Sequence, residues 1–174
     1  MNNFDLIEYG DEHIRYELDM LMETHQKLKT TRPDQITINI LLESRALHFR
    51  NLHDFLKHDT HRSWYEQDAV IARDYAPEFS FTSDPLLTKL TDQCDKQISH
   101  LTEKRVSDMD QKTGIGSKSW VDMIVGIPKL LVQLKRFIDE CPDEKKPKKL
   151  EKAINKYCEE YQLSKPPSRS TSYQ

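Results

Sequence analysis

The sequence predicts an all-α fold, an up-and-down four-helix bundle with an additional C-terminal helix, and three observations lead there. Only four glycines occur in 174 residues, too few for the tight turns on which sheet proteins depend. Leu, Lys, Glu and Gln, all strong helix formers, make up much of the remainder. Apolar residues recur at alternating spacings of three and four, the period of a helix with one buried face. The length suits one domain, 1–163, able to bury a core without covalent staples. Residues 164–174 are rich in Ser, Pro, Lys and Arg, a composition that predicts a disordered tail.

A first helix is expected from Asp11 to Lys29, with Ile14, Leu18, Leu21, His25 and Leu28 forming its seam. Pro33 closes the break that follows, since proline cannot continue a helix. A second helix, Gln35 to Lys57, places Leu41, Ser44, His48, Asn51, Leu52 and Phe55 in one stripe. Arg50 and Asp54 stand one turn apart, where an ion pair can form. From His58 to Asp84 the pattern weakens to a polar turn, a short helix within Asp68 to Tyr75, and irregular chain. Trp64, Tyr65, Val70, Tyr75, Phe79 and Phe81 predict that this long connection packs on the core.

Asp84 as N-cap and Pro85 at the first helical position start the third helix. Its inner face carries Leu87, Leu90, Cys94, Ile98, Leu101 and Arg105, and Ser107 to Ser117 reads as a loop. The fourth helix, Lys118 to Glu140, has the cleanest seam: Trp120, Met123, Ile127, Leu130, Leu134, Phe137 and Cys141. Pro128 within it predicts a kink or a later start. A lysine-rich last helix, Lys145 to Gln162, turns Leu150, Ile154, Tyr157, Cys158 and Tyr161 to one side.

Bulk properties narrow the function classes. A net charge of −3 does not by itself imply a nucleic-acid partner. The apolar stretch Ile124 to Leu134 is interrupted by Pro128 and Lys129 and is too short to span a bilayer, so no membrane association is expected. Cys94, Cys141 and Cys158 form no CxxC pair and read as buried free thiols. With no signal peptide in evidence, they predict a cytoplasmic location. There is no glycine-rich phosphate loop, and neither a cofactor nor a bound metal is expected.

The second helix holds the informative residues. His48 lies mid-stripe with Asn51 beside it, and His25 occupies a seam position on the first helix. Antiparallel packing would bring the two histidines near each other, and Arg105 on the third helix is placed to join them. Polar groups there must find hydrogen bonds, because an unpaired one costs about 1–3 kcal/mol. Three readings stay open: a satisfied polar layer that fixes bundle register, a ligand or catalytic pocket, or a metal site.

The run Leu41-Leu-Glu-Ser-Arg-Ala-Leu-His48-Phe-Arg50-Asn51-Leu-His-Asp54-Phe55-Leu56, with the later His100-Leu-Thr-Glu-Lys-Arg105, resembles a group of uncharacterised bacterial helical proteins. Those proteins share a His-x-Arg-Asn-Leu-x-Asp-Phe helix and a His-Leu-Thr-x-x-Arg motif, and the resemblance covers roughly residues 10 to 140. The group is similar in helical outline to HEPN domains, whose nuclease members cleave RNA without metal in defence and toxin systems. That similarity implies a homodimer facing RNA, with Arg50 on phosphate and His48 or His100 as general acid/base. The chain departs from the nuclease pattern, in which His follows Arg after four to six residues. Arg50 precedes His53 by two intervening residues and His58 by seven, while His100 and Arg105 occur in reverse order.

A third reading starts from His53-Asp54, which resembles the His-Asp step of metal phosphohydrolases with His25 as a further ligand. His53 lies about 140° from His48 around the helix and is expected to point away from the core stripe. His53, His58 and His61 with Asp59 would gather at the helix end, where solvated imidazoles also complement the helix dipole. The leading expectation is a binding or regulatory bundle, self-associating, with a polar site at His25, His48, Asn51, Asp54 and Arg105. The HEPN-like ribonuclease or RNA binder is the alternative, and the metal phosphohydrolase the second.

Overall fold

A computed structural model of the chain describes residues 5–58, 69–95 and 117–163, with side chains from Met123 onward in the last stretch. Every regular element among them is helical. The chain opens with α1 (Leu6–Tyr9), a π turn (Gly10–Ile14) and α2 (Arg15–Thr30), which follow one another directly. Asp5 caps the start by accepting from the backbone N–H of Ile7 at 2.9 Å, so this helix begins earlier than Asp11. Residues 31–34 lead into α3 (Gln35–Lys57), whose bounds match the expectation from sequence. Asp34 caps it, accepting from the N–H of Thr37 at 2.9 Å.

Around α3 the burial differs from the predicted stripe. Leu41 and Ser44 are only half-buried, whereas Leu42, Arg45, Ala46, Phe49, His53 and Leu56 are buried along with His48, Leu52 and Phe55. The reason is the number of neighbours. α3 packs against α2, α5 and α6 together, so more than one face of it is covered. Ile36, Ile40 and Leu47 remain exposed on its outer side.

The long connection packs inward in its described part. Ile71, Ala72, Tyr75, Ala76 and Phe79 are buried around the short α4 (Ala72–Tyr75). Then α5 (Pro85–Cys94) starts as the sequence indicates, with Asp84 accepting from the N–H of Leu86 at 2.8 Å and Pro85 in the first turn. α6 (Ser117–Glu140) continues through Pro128. Its seam of Met123, Ile127, Leu130, Leu134 and Phe137 is buried, and so is Cys141 just beyond. Gly126 brings α5 close, since a Cβ there would fall 2.3 Å from a methyl of Leu90.

A 3₁₀ turn (Asp143–Lys145) leads to α7 (Lys148–Glu160), which buries Leu150, Ile154, Tyr157 and Cys158. α7 receives its N-terminal cap from the far end of the chain. Oδ1 of Asp11 accepts from the backbone N–H of Lys149 at 2.8 Å and of Leu150 at 3.0 Å. Gly10 makes this junction possible, because a Cβ there would lie 2.7 Å from the Pro147 ring. At the centre of the core, Phe137 meets the rings of Phe55, Tyr75 and Phe79 edge-on at 5.2–5.9 Å. Among the described residues, no helix is long and apolar enough to cross a membrane.

Candidate ligand-binding cleft

Two helical stripes face each other across a solvent-open cleft of about 560 Å³. The first helix contributes Tyr9, His13, Tyr16 and Glu17, spaced four, three and one apart, and so sharing one face. α3 contributes Asn51, Asp54 and Phe55 at spacings of three and one, and its C-cap His58 follows at the cleft's end. Val70 and Ile71 of the connection close one side, and with Leu52 and Phe55 they supply the apolar surface.

Glu17 anchors the polar side. Its Oε2 lies 2.7 Å from Nδ1 of His48 and accepts from the Asn51 amide at 3.0 Å. A carboxylate accepts only, so Nδ1 carries the proton, and Nε2 is the nitrogen left for another partner. His48 is buried, with the Tyr16 ring edge-on at 5.7 Å. The rings of Tyr9 and His13, tilted by 41° with centroids 4.7 Å apart, add a second aromatic pair to the same rim.

His25 does not join this group. Its Nδ1 lies 3.3 Å from Nη1 of the buried Arg45. Glu17 and His25 are eight residues apart on α2, about 12 Å along the axis. The single layer expected for His25, His48 and Asn51 is therefore two separate pairings at different levels of the α2–α3 interface. Arginine can only donate, so Nδ1 of His25 accepts, and the ring is neutral with its proton on Nε2. Burial, helped by Lys29 and Arg45, lowers the His25 pKa to about 4, and burial brings Arg45 down to about 10. Nε2 of His25 is buried without a hydrogen-bond partner among the described residues.

His53 corrects the sequence reading most sharply. It is fully buried and packs edge-on against Phe81 at 5.2 Å. The rotation that turns it from His48 turns it towards the connection that covers α3. Its Nδ1 stands 3.6 Å from Oδ1 of Asp54. Asp54 does reach Arg50 at 3.6 Å, as the spacing predicts, but Nε of Arg50 lies closer to Asp95, at 2.8 Å. His100 and Arg105 lie outside the described residues, as do Asp59 and His61, Ile98 and Leu101, Trp64 and Tyr65, the Trp120 side chain and the 164–174 tail. No group of three His, Cys, Asp or Glu side chains among the described residues is arranged to hold a metal ion. All three cysteines are buried and free, and burial pushes the Cys94 thiol up to about 12.

The sequence singles out Asn51 and Asp54, which line this cleft, and His48 beside it, but not Glu17, Tyr9, His13 or Tyr16. The signal was present. Those four share a helical face that carries ionisable and aromatic side chains beside the Ile14–Leu18 seam. In comparisons with known proteins, no family model, no curated protein and no solved structure matches the chain.

Proposed function

We propose that the protein is a binding or regulatory helical bundle that takes a small ligand in the α2–α3 cleft. The observation that carries this reading is Glu17, which holds His48 and Asn51 in place across two helices while the cleft opens beside it. A volume of about 560 Å³ falls within the range of small-molecule sites, and so does the mixture of apolar floor and few fixed polar groups. Fixed polar groups next to an open, apolar-floored space are arranged to orient a guest. The binding reading takes precedence over RNA cleavage because the Arg50 guanidinium already faces two carboxylates, Asp95 and Asp54. The homo-oligomer implied by the resemblance belongs to the same proposal, and sedimentation equilibrium of the purified chain tests it directly.

The cleft is tested by NMR. The Asn51 side-chain amide is followed while benzylammonium, benzoate and benzyl alcohol are titrated in turn. Saturable shifts from at least one of the three support a binding cleft. Shifts from none would leave Glu17, His48 and Asn51 as a polar packing layer and end the proposal.

A further inference from the structure

We infer that the cleft selects a small organic cation, an amine or quaternary ammonium group carried on an apolar body; this rests on the binding reading above. Charge is the first argument. Glu17 and Asp54 bring two carboxylates to the cleft, and none of its described lining residues is Lys or Arg. Asn51 donates to Glu17 from a neutral amide, and His48 donates from Nδ1. Those two hydrogen bonds hold the carboxylate in place at the edge of the cleft. Asp54 is incompletely balanced, because Arg50 sits 2.8 Å from Asp95 and 3.6 Å from Asp54.

The rings are the second argument, independent of the first. Tyr16 is more than half exposed, and Tyr9 lies on the same helical face. Phenol faces attract cations through the ring quadrupole, most strongly where water is partly excluded. The apolar floor of Leu52, Phe55 and Val70 then accepts the hydrocarbon part of the guest. A carboxylate or phosphate ligand would meet two carboxylates and no Lys or Arg among the described lining, where the bases are the imidazoles of His13 and His58. Selection against anions follows from the same residues that attract the cation.

The experiment is a titration of the full chain with benzyltrimethylammonium, benzoate and benzyl alcohol, read by calorimetry and by the Asn51 amide resonances. The expected result is saturable binding of benzyltrimethylammonium, at least ten-fold tighter than benzyl alcohol, with no saturable binding of benzoate. Asp54→Asn and Tyr16→Leu, both at solvent-accessible side chains, should each weaken cation binding about five-fold or more with helicity unchanged. Benzoate binding as tightly as the cation would overturn the inference while sparing the cleft. Cation affinity unmoved by both substitutions would overturn it too. No binding by any of the three would remove the cleft itself.

Discussion

Glu17 and His48 meet across the α2–α3 interface with Oε2 2.7 Å from Nδ1, and the same oxygen receives the Asn51 amide at 3.0 Å. One carboxylate thus serves two donors from the neighbouring helix, the nearer of them on a buried ring. Glu17→Ala leaves both donors without their acceptor. The expected loss is about 1–3 kcal/mol, the usual penalty for stranding a buried polar group. Urea unfolding of wild type and variant measures it, and an unchanged midpoint would show that water replaces the carboxylate at no cost. His48→Leu in the Glu17→Ala background should recover part of the loss, because it removes the stranded ring together with its need for a partner.

His25 makes stability depend on acid. Its folded pKa of about 4 lies below the ordinary histidine value near 6.5, so between these the unfolded chain binds the extra proton. Stability therefore rises with pH through that window, is fully present above it, and is lost as pH falls from about 6.5 towards 4. The slope from this one group is at most about 1.4 kcal/mol per pH unit. Denaturant midpoints at a series of pH values should show that slope diminished in His25→Phe. An identical acid profile in the variant would assign the effect to other groups.

The cap on α7 is open to a direct test. Asp11→Ala removes the acceptor for the N–H groups of Lys149 and Leu150, with an expected cost of about 1–2 kcal/mol. Asp11→Asn should retain most of the stability, since its side-chain oxygen can still accept. Hydrogen exchange should locate the loss at the amides of 149 and 150. Uniform loosening of the whole chain, with no excess at those two, would contradict a local cap.

Phe137 offers the largest expected effect. It is fully buried and touches Phe55, Tyr75 and Phe79 edge-on, so Phe137→Ala should cost about 3–5 kcal/mol. Phe137→Leu keeps more of the volume and should cost less. Thermal unfolding of the two variants distinguishes a packed aromatic centre from a tolerant one, and equal midpoints would speak for the latter.

Much of the helical outline was legible in the sequence. The α3 bounds, the Asp84–Pro85 start and the α6 seam followed from caps, proline and period three-to-four spacing, all of which act within a turn or two of the chain. What escaped was set by distant neighbours. Arg45 and His53 read as residues outside the stripe, yet both are buried because α3 is covered on more than one side. The candidate site was half legible for the same reason. His48 and Asn51 stood out as polar residues on an apolar stripe, but Glu17, their shared partner, lies 31 positions before His48. Its helical face is legible locally, but its pairing with His48 and Asn51 is not. The pairing of His25 with Arg45, rather than His48, likewise depends on the register of two helices and not on either alone.

The cap that Asp11 gives to α7 spans 138 residues of chain, and that separation has a consequence for how the protein comes into being on the ribosome. A nascent chain threaded as far as Glu140 already holds the elements that surround Phe137, but the carboxylate of Asp11 has nothing yet to bind. The amides it accepts from emerge 138 and 139 residues later. Long-range closures of this kind are slow steps in folding, because loop entropy must be met before the contact rewards it. Docking of α7 therefore waits on amides synthesised long after Asp11, and until it occurs the face bearing Leu150, Ile154 and Tyr157 lacks its cover.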